Sequence, residues 1–227
     1  MSKRLAIVLV ALVLSMSTVG IQSAYAAPTP TLNQTITAGT LSTDILNSSL
    51  TPVASPSATL SSKGFSFDCQ TGGSASTGLL GTDAEREYVI NPGGANNGWT
   101  LAIAPTAGST AVWTNGSATY DFNDAGGSGC TDSADASDAV GGQLTVNPSA
   151  GTLATDCASC TPANITKGSS AAFLEGSVSS VTLLTATAAS EDYWRGYLTG
   201  STLSQTIPAQ QPAGAYSLPM TITVTAS

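Results

Sequence analysis

The densest group of metal-binding residue types in this chain is acidic. Asp121, Asn123 and Asp124 lie close together, and Asp132, Asp135 and Asp138 follow in a stretch rich in Gly, Ser and Ala. Oxygen donors on a glycine-flexible loop suit Ca2+, a hard cation that takes roughly six to eight oxygens. Asp121, Asn123, Asp124 and Asp132 are the candidate ligands, and Ca2+ is the one cofactor the sequence suggests. No Gly and Glu stand at the offsets an EF-hand requires, so the competing reading is a solvated acidic loop.

Catalytic constellations are harder to assemble. The chain contains no histidine. That excludes Ser-His-Asp and Cys-His sites and removes the usual zinc ligand. Glu85, Glu87, Glu191 and Asp192 are the carboxylates that could pair as acid and base in a glycosidase. Nothing around them marks a cleft, and surface carboxylates are the commoner case. Lys167-Gly168-Ser169 does not form a Ser-x-x-Lys nucleophile pattern. The chain reads as non-catalytic.

Four cysteines are present, Cys69, Cys130, Cys157 and Cys160. An even number behind an export signal suggests two disulfides, with three connectivities open. Cys157-Ala158-Ser159-Cys160 can close locally, which would leave Cys69 with Cys130. The same spacing suits a redox pair or half a zinc site. A redox pair wants a helix after its first cysteine, and here Thr161-Pro162 follows at once.

The large aromatics supply the remaining candidates. Trp99 and Trp113 sit on strand-like stretches, which favours the core. Tyr193-Trp194-Arg195-Gly196-Tyr197 is denser. Tyr193, Trp194 and Tyr197 are the candidate contact patch, of the kind that stacks on carbohydrate when exposed.

The elements that must position these residues are β-strands. Period-two alternation with β-branched residues marks Thr35–Leu41, Gly64–Asp68, Glu87–Ile90, Trp99–Ile103, Ala111–Trp113, Thr119–Phe122, Gln143–Val146, Ser180–Ala186, Tyr197–Thr199, Ser204–Ile207 and Leu218–Thr225. Asn-Pro-Gly-Gly at 91–94, Asn115-Gly116, Gly141-Gly142 and Asn147-Pro148 punctuate them, and Asn115-Gly116 predicts a hairpin. Short helical turns fit only residues 82–87 and 175–189. The expected fold is all-β, an antiparallel β-sandwich of Ig-like kind. One domain covers residues 32–227, with long Gly/Ser/Asp-rich loops. In the last strand Met220, Ile222 and Val224 share one face and Thr221, Thr223 and Thr225 the other, so one side buries and one is wet.

The N-terminus reads as an export signal. Lys3 and Arg4 precede an apolar run from Leu5 to Leu14, and Ala24-Tyr25-Ala26 offers small residues where a signal peptidase reads. Residues 1–26 are the expected signal peptide, cut between Ala26 and Ala27, and 27–31 a Pro-rich flexible lead-in. The run is too short to span a bilayer, so no transmembrane segment is expected after cleavage. No C-terminal sorting motif is seen. The net charge of −8 becomes −10 once Lys3 and Arg4 are lost. An acidic surface repels phosphate backbones and argues against nucleic-acid binding.

Three stretches resemble WxL-type cell-surface domains. Ile36-Thr37-Ala38-Gly39-Thr40-Leu41 is similar to their opening strand. Gly98-Trp99-Thr100-Leu101-Ala102-Ile103 resembles their first Trp-x-Leu motif. Gln211-Pro212-Ala213-Gly214-Ala215-Tyr216, followed by Met220-Thr221-Ile222-Thr223-Val224, resembles their closing Gly-x-Tyr strand. Ile222-Thr223-Val224 stands where the second Trp-x-Leu motif belongs, so that motif is missing, and the four cysteines lie outside the pattern. The resemblance implies an extracellular β-sandwich held non-covalently at the cell wall, with Trp99 and Leu101 as the residues carried over. The leading expectation is an exported, non-catalytic bacterial cell-surface protein. Its partners would be a cell-wall polymer, the extracellular matrix or other surface proteins. The alternative is a self-associating structural subunit of a surface fibre, pilus or layer.

Overall fold

The computed structural model describes residues 32–93, 97–132, 140–187 and 193–227. The expected signal peptide and lead-in, and the candidates Asp135, Asp138, Glu191 and Asp192, lie outside the described residues. Residues 38–227 form one compact unit, and residues 32–37 belong to a separate one. No helix among the described residues is long and apolar enough to cross a membrane.

The described chain is nearly all strand, and every strand pairing is antiparallel. The first sheet runs in the order β1 (Ser42–Leu46), β3 (Arg86–Pro92), β12 (Tyr193–Thr199), β8 (Thr152–Thr155). The second runs β10 (Ala171–Ala172), β7 (Gln143–Asn147), β13 (Ser201–Thr206), β2 (Ser76–Leu80). The third runs β14 (Met220–Ala226), β4 (Trp99–Pro105), β11 (Val181–Ala186), β9 (Ile165–Lys167). A small hairpin joins β5 (Trp113–Thr114) to β6 (Thr119–Tyr120) across Asn115-Gly116, where Gly116 takes the positive φ that the turn demands.

Alternation explains the core. On β4, Trp99, Leu101 and Ile103 point inward and are buried, while Thr100, Ala102 and Ala104 are only half-buried. Val89 and Leu198 from the first sheet, and Leu144, Val146 and Leu203 from the second, meet them in one cluster. β11 breaks strict alternation, because a register shift between Thr182 and Leu184 lets the consecutive Leu183 and Leu184 both bury. The arrangement is the expected all-β, sandwich-like fold.

Two expected strands are absent. Residues 35–41 join no strand, and β1 begins at Ser42. Residues 64–68 form none either, and Phe65 and Phe67 are exposed, packed edge-on against each other. Alternation sorts side chains onto two faces but does not supply a neighbouring strand. The helical turns expected at 82–87 and 175–189 are likewise replaced. Thr82 and Glu85 exchange backbone hydrogen bonds in a tight turn that feeds β3, and β11 occupies 181–186.

Among the described residues β14 pairs with β4 alone, with its apolar face half-buried and its threonines exposed. Removing residues 220–227 strips that cover and turns β4 into a bare edge. The truncated protein is expected to aggregate on expression. A truncated chain that elutes as a folded monomer in size-exclusion chromatography would contradict this.

Candidate functional site

Within the acidic stretch, the described residues 121–124 are tied into the fold by hydrogen bonds. Asp121, Asn123 and Asp124 are all buried, whereas Asp132 is exposed. The Phe122 amide donates to Asp121 Oδ1 at 2.6 Å, the Asp124 amide to the Gly142 carbonyl at 2.9 Å, and Asn123 Nδ2 to the Ser109 carbonyl at 3.1 Å. The Glu175 amide in turn donates to the Asn123 carbonyl at 2.9 Å. The bond to Gly142 clasps the end of the β5–β6 hairpin to the segment entering β7, and those with Ser109 and Glu175 tie it to two further segments. No group of three or more acidic, Cys or His side chains among the described residues is arranged to hold a metal. Asp121, Asp124 and Asp132 thus form no such group, while Asp135 and Asp138 lie outside the described residues.

The cysteines pair as Cys69–Cys130 and Cys157–Cys160, with Cα atoms 5.7 and 5.3 Å apart. The first ties the 128–130 turn, below β6, to the strand-like bridge between Gln70 and Ile207. It spans 61 residues of sequence, a loop size at which a cross-link stabilises by on the order of 4 kcal/mol through the unfolded chain. The second closes a tight loop between β8 and β9, with no helix after Cys157.

The aromatic run on β12 is divided by the strand's own period. Trp194, Gly196 and Leu198 face inward, and Tyr193, Arg195 and Tyr197 face outward. Trp194 packs on Trp99, ring centroids 5.5 Å apart. Gly196 makes room for that indole, since a Cβ there would lie 2.5 Å from Trp194 Cζ2. Trp99, Leu101 and Trp194 are therefore core, at 0%, 0% and 2% exposure. Their candidacy as contact residues is corrected, because a side chain without exposed area cannot touch a polymer.

What remains on the outer face is a tyrosine–arginine lattice. Tyr193 is 71% exposed, its ring resting over Gly93. The Arg86 guanidinium sits 4.5 Å over the ring of Tyr197, which also packs on Tyr88 at 5.0 Å. Arg195 pairs with Asp156 at 3.2 Å, and the Tyr88 hydroxyl donates to the same carboxylate at 3.2 Å. The partly exposed ion pair adds little stability. Its effect is to hold the side chains in a fixed pattern across β3, β12 and β8.

Two concavities were not legible in the sequence. One, of about 360 Å³, is lined by Trp113, Tyr120, Tyr216, Phe65, Lys63 and Gln70. Trp113 stacks on Tyr120 at 5.9 Å, and burial pushes the Tyr120 phenol above its usual range. The other is an apolar groove of about 820 Å³ flanked by β1 and β14, with Leu80, Ile103, Val146 and Leu203 among its walls. Glu87 stands at its back. Period two points this carboxyl inward beside Val89, where it is fully buried with neither oxygen hydrogen-bonded. Desolvation pushes it up to about 8. Glu85, which also lines the groove, instead accepts from the Ser57 amide at 3.2 Å.

Comparison with protein-family models, with curated proteins and with solved structures finds no match. The likeness to WxL-type domains thus rests on the short motifs alone, and of these the segment 36–41 forms no strand while Trp99 and Leu101 are buried.

Proposed function

We propose that this chain is an exported, non-catalytic bacterial cell-surface protein that associates non-covalently with the cell wall or extracellular matrix. The outer face of β12 is its contact surface. The observation that carries the reading is Tyr193, 71% exposed at the edge of a fixed tyrosine–arginine lattice. Tyr and Arg are the side chains that most often anchor contacts, since each offers a broad flat surface together with hydrogen-bond donors.

Other features support the same reading. The leader-like N-terminus supports export and an extracellular location. A net charge of −8 disfavours nucleic acid as partner. The lack of any histidine removes the commonest general base. Wall polymers or other surface proteins are the fitting partners.

The test is co-sedimentation of the purified protein with isolated cell walls. Tyr193→Ala is expected to weaken binding about tenfold, the loss typical of a contact anchor. Its unfolding free energy should stay within roughly 0.5 kcal/mol of wild type, as for other exposed positions. Wild-type protein that stays in the supernatant would overturn the wall reading. Equal binding by Tyr193→Ala would move the contact elsewhere.

A further inference from the structure

We propose that residues 32–38 of one copy add as a strand to the free edge of β14 in a second copy, with Leu32 and Ile36 lodged over the apolar groove, so that copies join head to tail. The inference deepens the fibre-subunit alternative and is independent of wall contact by Tyr193.

The acceptor is an edge to which no further strand is hydrogen-bonded among the described residues, with β1 across the groove from it. The Pro219 carbonyl accepts from the Thr106 amide, and the Ser227 amide donates to the Gly98 carbonyl. These bonds fix the odd-numbered residues of β14 as those that face β4. The backbone groups of Met220, Ile222 and Val224 therefore point the other way, where no strand among the described residues pairs with them. The strand Met220-Thr-Ile-Thr-Val-Thr-Ala226 has no charge, no proline and no bulge, the devices by which proteins blunt an edge. Two other edges, those of β1 and β2, are covered. The Val53 amide donates to the Ile45 carbonyl beside β1, and the Ser61 amide to the Thr77 carbonyl beside β2.

Beside this edge lies the groove of about 820 Å³. Packed interiors leave few voids larger than a water molecule, so apolar walls around such a space are walls without their filling. Met220 and Ile222 are only half-buried there, although their alternation marks them for a core.

The donor has matching chemistry. Leu32-Asn-Gln-Thr-Ile-Thr-Ala38 is uncharged, and when extended it places Leu32, Ile36 and Ala38 on one face, with Gln34 the one polar side chain among them. Leu32 is 90% and Ile36 85% exposed, and residues 32–37 join no strand. Its core, Thr35-Ile36-Thr37-Ala38, nearly repeats Thr221-Ile222-Thr223-Val224 of the edge. Seven residues span roughly 23 Å as a strand, the length of β14 itself. A main-chain ladder gives such an addition affinity, and the alternate side chains give it register. The contact uses different surfaces on the two partners, so repetition produces an open filament unless the rotation closes a ring. Both segments are uncharged, whereas each copy is strongly acidic, at −8 for the full chain, so added salt should favour assembly by screening repulsion between the copies.

The experiment is sedimentation velocity with negative-stain microscopy on the secreted protein over a hundredfold concentration range. Wild type is expected to form concentration-dependent oligomers or filaments. Ile36→Asp should stay monomeric with an unchanged unfolding midpoint, because the side chain is exposed. A synthetic peptide of residues 30–41 should then bind Ile36→Asp protein one to one and cross-link to Met220–Ala226, while the same peptide carrying Ile36→Asp should not bind. Wild type that remains monomeric, Ile36→Asp that assembles like wild type, or cross-links that map away from β14 would each overturn the proposal. A monomer that still sediments with cell walls refutes assembly and leaves the wall contact standing. Filaments that ignore cell walls do the reverse.

Discussion

Trp99→Ala is expected to lower the unfolding free energy by about 3–5 kcal/mol, the range for truncating a buried aromatic. That is a large part of the roughly 5–15 kcal/mol that holds a typical domain folded. The environment argues for the upper end. Trp99 opens the central strand β4, and its registered neighbours on either side are Ala186 of β11 and Ala226 of β14. Two alanines cannot swing in to fill the space the indole leaves. Trp194 would lose its ring partner at 5.5 Å as well. Trp99→Phe is the matched control. It keeps a ring at the site, and the indole N–H it removes is buried with no hydrogen-bond partner, so little polar stabilisation goes with it. Denaturant unfolding of the three proteins decides the matter. A Trp99→Ala protein within about 1 kcal/mol of wild type would show that the pocket collapses freely, contrary to this packing argument.

The contrast between Trp99 and Tyr193 shows what the sequence could and could not say. Composition and turn residues were enough to expect an all-β fold, and the strands rich in β-branched residues, such as β4, β7, β11 and β14, were readable from alternation. Ser76–Leu80, Thr152–Thr155 and Ala171–Ala172 were not, because Gly, Ser and Ala give alternation no contrast. Thr35–Leu41 and Gly64–Asp68 failed in the opposite sense. Each alternates well, but pairing depends on where distant strands lie, and nothing local reports that. The site followed the same rule. Tyr193-Trp194-Arg195-Gly196-Tyr197 read as one aromatic patch, yet a strand sends neighbouring side chains to opposite faces, so the run supplies both a core and a surface.

The helical turn expected near Thr82 has a related origin. Asp83 and Arg86 stand three apart, as on a helix, and they do pair at 3.1 Å. The backbone between them nonetheless folds as a hairpin-like turn, because the apolar positions that follow belong to a strand. An ion-pair spacing of three residues is therefore satisfied by more than one backbone, and the hydrophobic period decides which is used.

Glu87 is where local and global demands conflict most, and it yields the second large effect. It occupies an inward position on β3 between residues that belong there, Val89 among them. With its carboxyl raised to about 8 by desolvation, the folded protein holds a proton there that the unfolded chain releases near its ordinary value of 4.5. Between those two values the native state binds more protons than the unfolded state. Stability therefore falls as pH rises across that window, by roughly 1.4 kcal/mol per unit from this group, and levels off above it. At pH 7 the accumulated loss relative to pH 4 is about 3 kcal/mol. Glu87→Leu removes the titrating group and fills similar volume with carbon, while sparing the fold two buried oxygens that lack hydrogen bonds. The variant is expected to be more stable than wild type at pH 7, with the gap widening from pH 5 to pH 8 and constant beyond. Unfolding free energies of both proteins across that range test this directly, since slopes from other groups cancel in the difference. Parallel curves would mean that Glu87 is ionised in the folded protein, and hence that a compensating cation or water reaches it through the groove.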